Sequence, residues 1–101
     1  MHMTANEMPL TFDFVRERDG RYKVKSPGVR GLFLASKDLP ALWRDLQIAI
    51  RDLLAFNDEI YVDEIKWAPS VAEAYAKVEA LSPVKDPQAV TETCMVTLKA
   101  A

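Results

Sequence analysis

The chain holds 101 residues, 50% hydrophobic and 28% charged, with 13 Lys and Arg against 15 Asp and Glu for a formal charge of −2. That length suits one domain with a modest core, and so apolar a composition excludes a disordered tail. No run approaches the roughly 18 apolar residues of a membrane span, and a near-neutral balance argues against a protein that coats nucleic acid.

Leu10 to Arg16 alternates, with Leu10, Phe12 and Phe14 on one face and Thr11, Asp13 and Val15 on the other, the period of a half-buried strand. Asp19-Gly20 tolerates positive φ and predicts a tight hairpin turn. Tyr22, Val24 and Ser26 then alternate against Lys23 and Lys25 as the returning strand. Ser26-Pro27-Gly28 breaks it, and Gly31 to Ala35 reads as a short third strand buried on nearly both faces. The first 36 residues thus predict a three-stranded antiparallel meander.

Asp38 is placed to cap the next helix, with Pro40 tolerated in its first turn. Leu39, Leu42, Trp43, Leu46, Ala49, Ile50, Leu53 and Leu54 recur at three- and four-residue steps and form one apolar stripe. Ile48 lies off that stripe, and Asn57 reads as a left-handed stop. Ile60 to Trp67 is β-rich but acidic and reads as a fourth strand. Ser70 and Glu73 have capping-box spacing and open a second helix whose apolar face is Val71, Ala74, Tyr75, Val78 and Leu81. Pro83 and Pro87 punctuate a loop. Val90 to Lys99 closes the chain as a strand, with Val90, Cys94, Val96 and Leu98 on one face and Thr91, Thr93, Met95 and Thr97 on the other. That strand either joins the same sheet or crosses to another subunit. The expected fold is α+β, an antiparallel sheet of three to five strands packed by a long amphipathic helix, in the order β-β-β-α-β-α-β.

The reactive residues narrow the chemistry. Cys94 is the sole cysteine, which precludes an intramolecular disulfide and a cysteine-rich zinc site, and it reads as a small buried apolar residue. His2 is the sole histidine, so no internal histidine general base or Ser-His dyad is expected. Asp13, Asp58, Glu59, Asp63 and Glu64 would have to gather in space to hold a metal, and solvated acids are the simpler reading. Gly20, Gly28 and Gly31 lack the spacing of a phosphate loop. The expectation is a non-enzyme without cofactor or metal, in a reducing, cytoplasmic compartment and without a secretory signal.

The segment Ser26-Pro27-Gly28-Val29-Arg30-Gly31-Leu32, after a hairpin and before a strand and long helix, resembles the HicB-like antitoxin family. The family pattern is Ser-Pro-(Asp or Glu)-(apolar)-Pro-Gly-(Cys or Leu). Ser26, Pro27, Val29, Gly31 and Leu32 match it, Gly28 replaces the acid, and Arg30 replaces the second proline. The helix Asp38 to Asn57 matches in position, so the resemblance covers residues 10 to 57, with 58 to 101 as a possible added strand-helix-strand. It implies a partial ribonuclease H-like sheet and a protein that masks a small basic, RNA-cleaving toxin. The family often adds a DNA-binding segment, and residues 58 to 101 contain no helix-turn-helix pattern.

Charge is segregated along the chain. Arg16, Arg18, Arg21, Lys23, Lys25 and Arg30 face only Glu17 and Asp19 in their stretch, a local +4. Asp52, Asp58, Glu59, Asp63 and Glu64 form a stretch of −5. The acidic stretch, with Tyr61 and Trp67, is suited to docking a basic protein, since opposite potentials steer association and aromatics anchor interfaces. The basic hairpin offers a second reading, a nucleic-acid-binding regulator, or else a solvated edge that discourages aggregation. A third possibility is a phage or mobile-element module that reuses the fold for another interaction. An exposed sheet edge predicts a homodimer.

Overall fold

Alternation along the first strand decides which side of the sheet is dry. In a computed structural model, which describes residues 6–82 and 88–99, β1 (Glu7–Arg16) buries Leu10, Phe12 and Phe14 and turns Thr11, Asp13 and Val15 the other way. β2 (Tyr22–Lys25) and β3 (Phe33–Ser36) continue the meander, α1 (Leu39–Asp58) crosses the buried face, and β4 (Val62–Ala68), α2 (Val71–Glu79) and β5 (Gln88–Leu98) follow. The result is an α+β fold with one five-stranded sheet, ordered β3-β2-β1-β5-β4, in which every neighbouring pair is antiparallel.

The last strand lies inside the sheet. β5 runs the full length of β1, from Glu7 opposite Thr97 to Arg16 opposite Gln88, and carries β4 on its other side. The final strand therefore pairs within its own sheet, and β3 and β4 are left as the two outer strands. As an outer strand, β3 is not buried on both faces as expected: Leu34 packs against the core, but Phe33 is 61% exposed. The Asp19-Gly20 turn forms as predicted, with Gly20 at φ +93° and the Asp19 carboxylate accepting the Arg21 backbone N–H at 2.9 Å.

Both helices pack on the same sheet face. Asp38 caps α1 by accepting the Ala41 N–H at 3.2 Å, and Leu39, Leu42, Leu46, Ile50 and Leu54 are buried along the predicted stripe. Trp43 meets Phe14 of β1, Trp67 of β4 and Tyr75 of α2, with ring centroids 5.8, 4.8 and 5.4 Å away. Ser70 caps α2 through the Glu73 N–H at 3.2 Å. Val71, expected on the apolar face, is instead exposed, because residue one of a short helix precedes its contact with the sheet. Cys94 is fully buried, and desolvation pushes its thiol up to about 12. The loop at Pro83 and Pro87 lies outside the described residues.

One residue of β5 departs from the expected apolar face. Glu92 stands between Val90 and Cys94, opposite Phe12, and is 3% exposed. Burial raises its carboxyl above the ordinary range, and Lys77 of α2 pulls it partly back. A carboxyl raised by folding contributes stability below its unfolded value, and that contribution is lost as pH rises through the folded value. Glu92→Gln is therefore expected to raise the unfolding free energy at neutral pH and to change little below about pH 4, near the unfolded glutamate value. Urea denaturation of both proteins at the two pH values tests this, and an equal gain at both would refute it.

Candidate functional site

A helix terminus normally favours cations at its carboxyl end, where unpaired carbonyls collect. α1 does the reverse: its last turn carries no basic residue and ends on Asp58, followed by Glu59 as the cap. Glu59 holds φ 56°, the left-handed conformation that glycine adopts most cheaply, and donates its N–H to the Ala55 carbonyl at 3.2 Å. The predicted left-handed stop at Asn57 is thus displaced by two residues. Asn57 stays helical because its side-chain amide donates to the Arg30 carbonyl at 2.8 Å, fastening the helix to the loop before β3.

From this cap the chain enters the sheet. Asp58, Glu59, Tyr61 and Asp63 are all exposed, Tyr61 at 58%. Asp63 is the extra residue of a bulge between Val62 and Glu64. Arg51 of α1 donates to the Val62 and Asp63 carbonyls at 3.1 and 3.4 Å, so a cation supports the backbone of this stretch. Phe56 joins the same end of the chain at 86% exposure. Sequence reasoning passed over it, although a phenylalanine two residues past the stripe position Leu54 is a readable signal.

Of the two remaining residues expected to face a partner, Trp67 is buried and Glu64 is exposed. Trp67 is only 5% exposed, its ring tilted at 50° to that of Phe12 with centroids 5.2 Å apart, and its indole N–H donates to Gln47 Oε1 at 3.2 Å. It is a core residue, because its β4 position alternates onto the helix-covered face. Glu64 faces the open side of the sheet, 3.8 Å from Lys66 Nζ.

The basic hairpin disperses on folding. Arg16 lies over the Tyr22 ring at 4.6 Å and donates to the Leu81 carbonyl at 3.0 Å, just past the end of α2. Arg21 pairs with Asp19 at 3.1 Å and Lys23 with Glu17 at 3.7 Å. Arg18, Lys25 and Arg30 remain exposed, but at the hairpin tip, on the open sheet face and in the loop before β3 respectively. Lys23 and Lys25 line a shallow hollow there with Asp13 and Phe33. Among the described residues, no three acids, histidines or cysteines converge as a metal site, and no helix is long and apolar enough to cross a membrane.

The family-like segment has visible structural work. Ser26 Oγ donates to the Thr11 carbonyl at 2.6 Å and accepts the Gly28 N–H at 3.2 Å. Val29 and Leu32 are buried, and Gly31 turns the chain at φ +88°. No family model, curated protein or solved structure matches the chain. The likeness therefore rests on these residues, each of which the fold itself uses.

Two substitutions separate structural from functional roles. Arg16→Ala removes a cation–π contact and a bond to the end of α2, and is expected to lower stability by about 1–2 kcal/mol in urea denaturation. Glu59→Gly relieves the left-handed backbone and a carboxylate at the negative helix end, and is expected to raise stability by about 1 kcal/mol. A neutral or destabilising Glu59→Gly would show that the cap carries no such cost.

Proposed function

We propose that the chain is a non-catalytic binding protein that sequesters a small basic protein through the end of α1 and the start of β4, in the manner the HicB-like resemblance implies. The observation that carries this reading is the placement of acids where they oppose folding. Asp58 and Glu59 sit at the negative pole of α1, one of them in a left-handed conformation, and Phe56 and Tyr61 stand beside them in solvent. Features that lower stability without a packing return belong to surfaces kept for another purpose.

The chemistry of such a surface is plain. Asp58, Glu59 and Asp63 supply a negative potential that steers a cationic partner, and Phe56 and Tyr61 supply apolar anchors. An RNA-cleaving toxin with a basic face is a partner of this kind. A cytoplasmic setting accords with the lone buried thiol. The nucleic-acid reading has weaker support, since Arg16, Arg21 and Lys23 are engaged within the fold and the remaining cations are scattered.

The test is a pull-down from the source lysate with low- and high-salt elution, repeated with Asp58, Glu59 and Asp63 all changed to Lys. A small basic protein that is released by salt, and bound at least tenfold more weakly by the triple variant, supports the reading. Equal retention by the variant, or recovery of nucleic acid in place of protein, overturns it.

A further inference from the structure

β4 is an outer strand with an open backbone edge. It pairs with β5 on one side and has no neighbour on the other among the described residues. Arg51 occupies the carbonyls of Val62 and Asp63 at its start, which leaves Glu64 to Ala68 as the free stretch. Along that stretch the side chains alternate: Glu64 and Lys66 lie on the open sheet face, with Ile65 between them on the helix-covered face. Ile65 is only half-buried, an apolar residue left partly wet at the very edge of the core.

We propose that β4 is a self-association edge: two copies pair their β4 strands antiparallel about a two-fold axis through Ile65, giving one continuous sheet. The pairing is selected by charge. In an antiparallel ladder, directly opposite residues share a face, so only registers that keep the two open faces together are admissible. Centring the axis on Ile65 sets Glu64 opposite Lys66 of the second copy, twice, and brings the two Ile65 side chains together. Moving the centre one residue toward the start of the strand sets Glu64 against Glu64, and moving it one residue the other way sets Lys66 against Lys66. Like charges directly opposite are destabilising, whereas opposite charges are favourable. Glu64 and Lys66 are already within 3.8 Å in one chain, so the second copy receives a preformed pair. An isologous contact of this kind closes at two copies and leaves no further β4 edge to extend.

Exposed ion pairs contribute only about 0–1 kcal/mol each, so here they set the register, while backbone hydrogen bonds and the Ile65 contact supply the affinity. Sedimentation velocity over a concentration series is expected to show a dimer for the native chain. Glu64→Lys or Lys66→Glu alone should weaken it at least tenfold, and the double exchange should restore it, with circular dichroism confirming that each variant folds. An independent reading comes from Ile65→Cys, which on the axis should give a disulfide-linked dimer under mild oxidation, while Phe33→Cys on β3 should not. A native monomer at all concentrations, single reversals as dimeric as the native chain, or linking through Phe33→Cys and not Ile65→Cys would each overturn the proposal. The acidic residues Asp58, Glu59 and Asp63 lie outside this pairing, so a native chain that stays monomeric yet captures a basic protein would refute the dimer alone.

Discussion

The fold depends on one aromatic wedge. Trp43 is the only residue of α1 whose ring meets rings of β1, β4 and α2 together. The wedge is oriented by an amide: Gln47 donates to the Trp43 carbonyl at 3.0 Å and accepts the Trp67 indole N–H at 3.2 Å. Trp67 in turn leans on Phe12, which closes the cluster against the middle of the sheet. Buried aromatic pairs each add about 0.5–1.5 kcal/mol beyond their area, and the indole N–H would be costly without its partner. The cluster is therefore what commits both helices to one face.

That commitment fixes the character of everything else. With both helices on one side, the opposite face has to be acceptable to water, and β1 and β5 present Thr11, Asp13, Thr91 and Thr93 there, with Thr91 donating to Asp13 at 2.9 Å. Because the sheet is open, it also keeps two edges, which a closed barrel would abolish. β3 meets this with only four residues. β4 has seven residues and carries a bulge, an arginine over its first carbonyls and an alternating charge pair. An edge so long, with an apolar side chain half in water, is the natural place for a protein of this size to meet another chain.

Much of the fold was legible because its signals are local. The alternation at Leu10 to Phe14, the Asp19-Gly20 turn, the Asp38 cap and the leucine stripe each act within one or two turns of backbone, and each is where the sequence pattern puts it. What was not legible depends on neighbours distant in the chain. Nothing in Val90 to Leu98 announces that it lies between β1 and β4, since pairing partners are set by packing rather than by local preference. Glu92 breaks the apolar alternation of that strand, yet its position on the dry face follows from the residues around it. Trp67 illustrates the same limit: an aromatic beside acids looks like an interface residue until the strand's phase is known. The basic run keeps its excess but not its contiguity, because the hairpin brings Glu17 to Lys23 and the turn brings Asp19 to Arg21, while Arg16 is drawn to the end of α2 and Arg18, Lys25 and Arg30 stand apart.

The acidic end keeps its charge together for a geometric reason. It lies where a helix stops and an edge strand begins, and the arginine that reaches it, Arg51, donates to carbonyls rather than carboxylates. Uncancelled charge at a helix end that would prefer the opposite sign lowers stability, and so does a glutamate in a left-handed cap. A domain of about a hundred residues has only some 5–15 kcal/mol in reserve, so two such costs at one corner are not trivial. Edge pairing through Ile65 would relieve neither cost, because an antiparallel two-fold carries the two acidic ends away from each other along the strand. The two surfaces thus answer to different physics, a short-range ladder at the strand and a long-range field at the helix end. Salt screens the field far more than the ladder, and for that reason self-association and capture of a basic chain can coexist on one small sheet.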